Sequence, residues 1–128
     1  MSFLRPCLVV AGVIHPLRGS ADIGRAHVSC QSNGCISKGF RHAPEIPVPD
    51  THCYVSRHHA RVQLDSKGKC WIEDLHSLNG TAISHPGKKE PQLERLIPGT
   101  QYQLRDGDMI ALAYQQERGP YFVISYHH

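Results

Sequence analysis

The sequence contains no long hydrophobic run, no convincing helical periodicity and no dense cluster of basic residues. No apolar stretch approaches the roughly 20 residues that a membrane-spanning helix needs, so we expect no membrane contact. The net charge of +3 is small. A nucleic-acid-binding domain usually carries a stronger and more clustered Lys/Arg excess, so we expect no nucleic acid partner.

Catalytic signatures are also missing from the sequence. There is no nucleophile with an adjacent base and an orienting group, and no glycine-rich loop that could cradle a nucleotide phosphate. We therefore predict that the protein is not an enzyme and needs no cofactor. The short apolar run Leu8–Ile14 contains Gly12 and precedes no small-residue cleavage pattern, so it favours a first β-strand over a signal peptide.

The five cysteines are an odd number and cannot all pair within the chain. Cys70 lies in a run that alternates like a buried strand, where a free thiol packs as a small hydrophobe. This pattern favours a reducing intracellular compartment, either nucleus or cytoplasm. A zinc site is the weaker alternative, because the spacing of the candidate ligands is irregular; they are Cys30, Cys35, His42, His52 and Cys53.

What the sequence does contain is strand periodicity. Alternating residues predict a hairpin of strands at 60–64 and 70–75, joined by a turn at 66–69. Further strands are predicted at 3–13, 21–27, 81–84, 102–105, 109–114 and 121–126, with turns at Pro98-Gly99 and Asp106-Gly107. Many short strands joined by turns predict an all-β sandwich. We expect one domain over residues 1–126 and interpret 127–128 as a tag remnant.

Two segments depart from this strand-and-turn pattern. Residues 30–50 are rich in proline and glycine, so we predict a long loop with a short edge strand at Ile46–Val48. Residues 85–98 are polar and interrupted by proline, and they predict a second loop.

Three short signals occur in a fixed order, each at the end of a predicted strand: Gly24-Arg25, then residues 56–59 (Ser-Arg-His-His), then residues 77–81 (Ser-Leu-Asn-Gly-Thr). They place two arginines, a serine hydroxyl and an asparagine amide on loops, where a rigid sheet could direct them at one ligand. Arginine presents a planar fork of donors suited to phosphate. With no general base nearby, this pattern predicts binding of a phosphate and not its cleavage.

These signals, together with residues 106–108 (Asp-Gly-Asp), closely resemble the pattern of the forkhead-associated (FHA) domain. The resemblance covers nearly the whole chain. It implies a twisted β-sandwich of about eleven strands (FHA/SMAD-like) that binds phosphothreonine peptides through loops at one end. It also implies a monomeric domain, here expected to be the N-terminal part of a larger signalling or regulatory protein.

Residue roles follow from the resemblance. Arg25, Ser56 and Arg57 should bind the phosphate, and Asn79 the peptide backbone beside the phosphothreonine. Supporting roles in the binding loops fall to a further set: Gly24, His59, Gly80 and Thr81. Secondary contacts are expected from His58, Lys38, Arg41 and Leu78.

The chain departs from the family pattern in two ways. Thirty residues (26–55) separate Arg25 from Ser56, which is more than usual. Leu78 stands where some relatives carry a threonine that assists phosphate binding. These departures keep an alternative open, namely a protein-interaction domain on the same fold whose binding does not depend on phosphate.

Overall fold

The chain is seen in a computed structural model that describes residues 5–26, 44–50, 52–86, 93–115 and 119–128. Over these ranges it forms eleven β-strands and no helix. The strands are β1 Cys7–Val10, β2 Val13–Pro16, β3 Ser20–Arg25, β4 Ile46–Val48, β5 Ala60–Leu64, β6 Cys70–Asp74, β7 Thr81–Ser84, β8 Glu94–Arg95, β9 Gln101–Leu104, β10 Met109–Gln115 and β11 Gly119–His127. The predicted all-β fold with about eleven strands is confirmed.

The strands form two sheets. One has the order β2-β1-β11-β10-β7-β8 and the other the order β4-β3-β5-β6-β9. Every pairing is antiparallel except that of β4 with β3, in which Ile23 lies opposite Ile46 and Arg25 opposite Val48 in parallel register. His127, predicted as part of a tag remnant, pairs with Cys7 at the end of β11.

The core lies between the two sheets, where alternate residues of each strand point inward. Its largest fully buried side chains come from both sheets: Leu8, Val10, Ile23, Val48, Ile72, Ile83, Ile110, Leu112, Ile124 and Tyr126. Each buried aliphatic side chain of this kind contributes on the order of 1.5–3 kcal/mol relative to an exposed one. The core therefore holds the strand ends, and the loops that follow them, in fixed positions.

Most predicted strands occur within one or two residues of their predicted positions. The hairpin of β5 and β6 turns where expected, with Gly68 at φ +80°, and the short edge strand Ile46–Val48 is β4. The turn at residues 106–108 also occurs as predicted. There the carboxylate of the fully buried Asp108 accepts hydrogen bonds from the Arg105 backbone N–H and from His85 Nδ1, both at 2.8 Å.

Two strand predictions differ from the structure. The first apolar segment is not one strand but a hairpin, because Ala11 and Gly12 adopt φ values of +49° and +81° and reverse the chain between β1 and β2. The loop predicted at residues 85–98 contains β8, a two-residue strand that pairs with β7 and was not predicted. Both of its residues, Glu94 and Arg95, are exposed and charged, so periodicity gives no signal for them.

No helix long and apolar enough to cross a membrane occurs in the part of the chain that the structure describes.

Candidate functional site

Strand register brings the three sequence signals to one end of the sandwich. Ile23 lies opposite Ala60, and Ala60 opposite Asp74, so β3 and β6 end where β5 begins. The loop between β4 and β5 and the loop between β6 and β7 therefore meet beside Arg25. We call these the first loop (residues 49–59) and the second loop (residues 75–80).

Gly24 allows β3 to press directly against the first loop. A Cβ atom at this position would lie 1.8 Å from the backbone oxygen of Arg57, so only glycine fits without moving the loop. The next backbone N–H, that of Arg25, donates to Ser56 O at 3.0 Å. This close approach places Arg25, Ser56 and Arg57 side by side.

The Arg25 guanidinium is largely buried, with 8% of the residue exposed. Its Nη1 donates to Val55 O at 3.2 Å, and no carboxylate lies within ion-pair distance of it among the residues described. Burial and the neighbouring Arg57 charge lower the pKa of Arg25, and the Asp50 charge offsets this in part. Two guanidinium groups thus lie close enough to influence each other, and Arg25 has no ion pair with any carboxylate in the part of the chain that the structure describes.

His59 connects the two loops from below. It is fully buried; its Nδ1 accepts from the Ser56 backbone N–H at 3.0 Å, and its Nε2 lies 2.9 Å from Gly80 O. Because Nδ1 must be unprotonated to accept, the ring is neutral and donates through Nε2. Burial lowers the pKa of His59 in agreement with this.

Two further hydrogen bonds join the rims of the loops. The Leu78 backbone N–H donates to Ser56 Oγ at 3.1 Å, and Asn79 Nδ2 donates to Tyr54 O at 2.8 Å. The Ser56 hydroxyl keeps its own proton for another acceptor, since it accepts in this bond. The Asn79 amide keeps a second N–H and its carbonyl oxygen.

Asp74 organises the second loop. Its carboxylate is almost fully buried and accepts from the Ser77 N–H, the Ser77 hydroxyl and the Thr81 hydroxyl. The Ser77 hydroxyl in turn accepts from the Gly80 N–H, and Gly80 itself has φ +86°, which favours glycine. Thr81 is fully buried and so supports the loop without reaching a ligand.

Asp50 organises the first loop in the same way that Asp74 organises the second. The sequence pattern did not predict this role for Asp50. Its buried carboxylate accepts from the His52 and Val55 backbone N–H groups at 2.8 and 2.7 Å, and from the Tyr121 hydroxyl at 2.8 Å. Burial and the bond to Asp50 raise the pKa of Tyr121 to about 12. An aspartate that binds the N–H two residues later is a known turn signal, which could have identified Asp50 but not Tyr121.

Three aromatic rings lie at the outer edge of the first loop. His52 stacks on Tyr54 with centroids 5.7 Å apart, and Tyr54 meets Tyr121 edge-to-face at 4.9 Å. Tyr54 is 46% exposed and its carbonyl holds Asn79, so this aromatic edge adjoins the site. Nothing in the sequence pattern indicated that these rings meet.

The remaining predicted contact residues vary in position. His58 is exposed in the first loop, and its Nδ1 lies 3.9 Å from the Asp22 carboxylate of β3. Leu78 is 83% exposed at the tip of the second loop. Lys38 and Arg41 lie outside the described residues.

The structure describes only some of the residues on which the cysteine and zinc predictions depend. Cys7 and Cys70 are free and buried, whereas Cys53 is disulfide-bonded. The free, buried thiol predicted at Cys70 is confirmed, whereas the disulfide at Cys53 does not support the predicted reducing compartment. Within the described ranges no group of three or more His, Cys, Asp or Glu could hold a metal, and three members of the predicted zinc cluster lie outside those ranges: Cys30, Cys35 and His42.

Comparison with solved structures finds the same architecture in many proteins. The FHA domain of an Arabidopsis thaliana hypothetical protein is 27% identical, with a TM-score of 0.61, and the match covers 99% of this chain and 89% of that one. Mycobacterium tuberculosis EmbR, solved with a low affinity phosphopeptide, is 24% identical with a TM-score of 0.62. That match covers 95% of this chain, which spans about a quarter (24%) of the EmbR chain.

A third similar structure is the N-terminal FHA domain of S. cerevisiae Rad53p, solved in complex with a phosphothreonine peptide. It is 14% identical with a TM-score of 0.63, and the match covers 97% of this chain and 91% of that one. No curated protein sequence matches the chain. The family model described as "FHA domain" matches residues 22–113, well over half of the 128 residues. The chain therefore belongs to the FHA-domain family.

Proposed function

We propose that the protein is a recognition module that binds phosphothreonine-containing peptides on the two loops beside Arg25. It binds its ligand without chemical change and acts as a domain of a larger signalling or regulatory protein. That it forms the N-terminal part of such a protein, and works in an intracellular compartment, remains a prediction.

The observation that carries the proposal is that Arg25 is largely buried and forms no ion pair with any of the described residues. A buried guanidinium normally has a carboxylate partner, because an unpaired buried charge is costly. The charge of Arg57 lowers the pKa of Arg25 and the charge of Asp50 raises it, but the Asp50 carboxylate already accepts three hydrogen bonds within the protein. A dianionic phosphate supplies the missing counter-charge.

The hydrogen bonds of the neighbouring groups support complementary roles for them in this proposal. The Ser56 hydroxyl donates to a second phosphate oxygen while still accepting from Leu78 N–H. Arg57, exposed beside Arg25, adds a further charge-assisted contact. Asn79, fixed by its bond to Tyr54 O, presents its free N–H and carbonyl oxygen to the peptide backbone and so fixes the register of the ligand.

The test is binding to an oriented peptide library with phosphothreonine, phosphoserine or the unmodified residue at the fixed position. We expect the phosphothreonine set to bind the wild type, and Arg25→Ala to weaken binding by at least about tenfold, because a hydrogen bond to a charged group contributes about 1.5–3 kcal/mol. Arg25→Lys keeps the positive charge but loses the planar fork of donors. Its affinity should therefore lie between that of the wild type and that of Arg25→Ala.

Arg105→Ala is the matched control, since Arg105 is also an arginine but lies in the exposed turn at the far end of the sandwich. It should bind like the wild type. Full affinity in a folded Arg25→Ala variant, or no phosphate dependence in the wild type, would refute the proposal.

Leu78 favours a second candidate function. This leucine is 83% exposed at the tip of the second loop, in a place that could hold an apolar group of a partner protein. A partner bound this way would stay bound after phosphatase treatment, and Leu78→Ser would release it while Arg25→Ala would not.

A further inference from the structure

We propose that Arg95 forms a second anion-binding position next to the phosphothreonine site, and that the natural ligand carries an acidic side chain or a second phosphate there. This inference rests on the proposed function and concerns which peptides the site selects. Arg95 was not singled out by the sequence pattern and lies in the short strand β8.

Strand pairing places Arg95 beside the second loop. It lies opposite Ala82 of β7, and the next N–H, that of Leu96, donates to Thr81 O at 2.8 Å. These two links hold the backbone of β8 against Thr81 and Ala82, which are the first and second residues after Gly80. The charged group is thus attached to the sheet and does not depend on a loop for its position.

The side chain of Arg95 lies flat against Gly80. A Cβ atom added at Gly80 would stand 2.9 Å from Arg95 Nη2, 3.0 Å from Nε and 3.1 Å from Cζ. The guanidinium therefore occupies the space that any larger residue at position 80 would need. Because Asn79 directly precedes Gly80, the Arg95 charge adjoins the residue proposed to hold the peptide backbone.

The Arg95 guanidinium is exposed, and across the described ranges it has neither a hydrogen bond nor an ion pair. Its neighbour Glu94 points to the opposite side of β8, since side chains alternate along a strand. The buried carboxylates at this end, Asp50 and Asp74, are occupied by the loops themselves. A positioned and uncompensated arginine beside a peptide-binding residue selects for an anion on the peptide.

Carboxylate and phosphate share the chemistry that Arg95 recognises, because both accept two parallel hydrogen bonds from a guanidinium. An extended peptide advances roughly 3.3 Å per residue, so a few residues on either side of the phosphothreonine can reach this position. The experiment should therefore locate the acidic residue and distinguish the two sources.

A phosphothreonine peptide that binds the wild type is rebuilt with alanine at the flanking positions. One glutamate, or one phosphoserine, is then moved through positions two to five on each side. We expect one position to raise affinity about three- to tenfold, in the range of a partly exposed ion pair with good geometry. Arg95→Gln should remove that gain and leave affinity for the alanine peptide within about twofold, whereas Arg105→Gln should retain the gain.

A charge exchange gives an independent test of the same contact. Arg95→Glu should reverse the preference, so that a lysine at the located position binds better than a glutamate. A larger gain for phosphoserine than for glutamate would identify a doubly phosphorylated ligand, and the reverse an acidic residue; both support the proposal.

The proposal is overturned if no position gives a gain, or if the gain is the same in Arg95→Gln. These results would leave the proposed function intact, since the alanine peptide would still bind through its phosphothreonine. If no phosphopeptide binds the wild type at all, the proposed function fails and this inference fails with it.

Discussion

At the scale of single residues, His59 links the two loops of the site through one side chain. It lies fully buried between Ser56 and Gly80 and satisfies one backbone group of each loop. A protonated ring would turn a second N–H toward the Ser56 N–H, so two donors would face each other. The neutral form is therefore the one that holds the loops together.

The protonation of His59 predicts a specific pH dependence of stability. Burial lowers its pKa below the ordinary 6.5, so between the two values the unfolded chain binds a proton that the folded chain does not. Its contribution is then complete above pH 6.5 and declines as the pH falls below it. Glutamine at this position keeps a donor and an acceptor but does not titrate.

We therefore expect the difference in the free energy of unfolding between wild type and His59→Gln to narrow from pH 7.5 to pH 5. Urea unfolding at a series of pH values measures it, and the other titrating groups cancel because both proteins share them. A difference that is constant over this range would contradict the assignment.

At the scale of strands and turns, the prediction from sequence succeeded where alternation was regular. The β5–β6 hairpin and the closing strands β10 and β11 have a buried face and were found from Val62, Ile72 and their neighbours. The first hairpin was missed because the apolar run from Leu8 to Ile14 continues through the turn, so the reversal at Ala11 left no break in the pattern. β8 was missed because two exposed residues cannot show a period.

The turn between β1 and β2 offers a stability test at this scale. Ala11 and Gly12 both have positive φ, as in a type I′ hairpin turn, and alanine is strained there where asparagine is tolerated. We expect Ala11→Asn to raise the free energy of unfolding by about 0.5–1 kcal/mol, measured by the urea midpoint. Ala11→Val should lower it, since a β-branched residue is the least tolerant of this conformation; equal effects from both would contradict the turn type.

At the scale of the whole molecule, the site is assembled from segments that are distant in sequence. That Arg25, Ser56 and Asn79 come together could be predicted because each belongs to a short signal in a fixed order. Asp50 and Tyr121 could not, since they are 71 residues apart and their contact exists only once β11 has joined the sheet. Arg95 escaped prediction for the same reason, as only strand pairing brings it to Gly80.

Ligand binding at one end should stabilise the whole sandwich, because both sheets contribute to the loops. A ligand at one hundred times its Kd adds about 2.7 kcal/mol to the free energy of unfolding, which for a chain of this size raises Tm by several degrees. We expect this shift with a phosphothreonine peptide and none with its unmodified form. An equal shift in Arg25→Ala would show that the peptide binds elsewhere.

The parallel pairing of β4 with β3 sets a lower limit on the length of the chain between them. Antiparallel neighbours can be joined by two residues, but a parallel neighbour requires the chain to travel back along the sheet, which takes about a dozen residues or more. The interval from residue 26 to residue 45 provides 20 residues for this connection, which is enough. If most of this interval were deleted, β4 could no longer pair with β3 in parallel. Asp50, which follows β4 by two residues, would then lose the strand that positions it. The parallel pairing therefore limits how far this interval can be shortened and sets no limit on how far it can be lengthened.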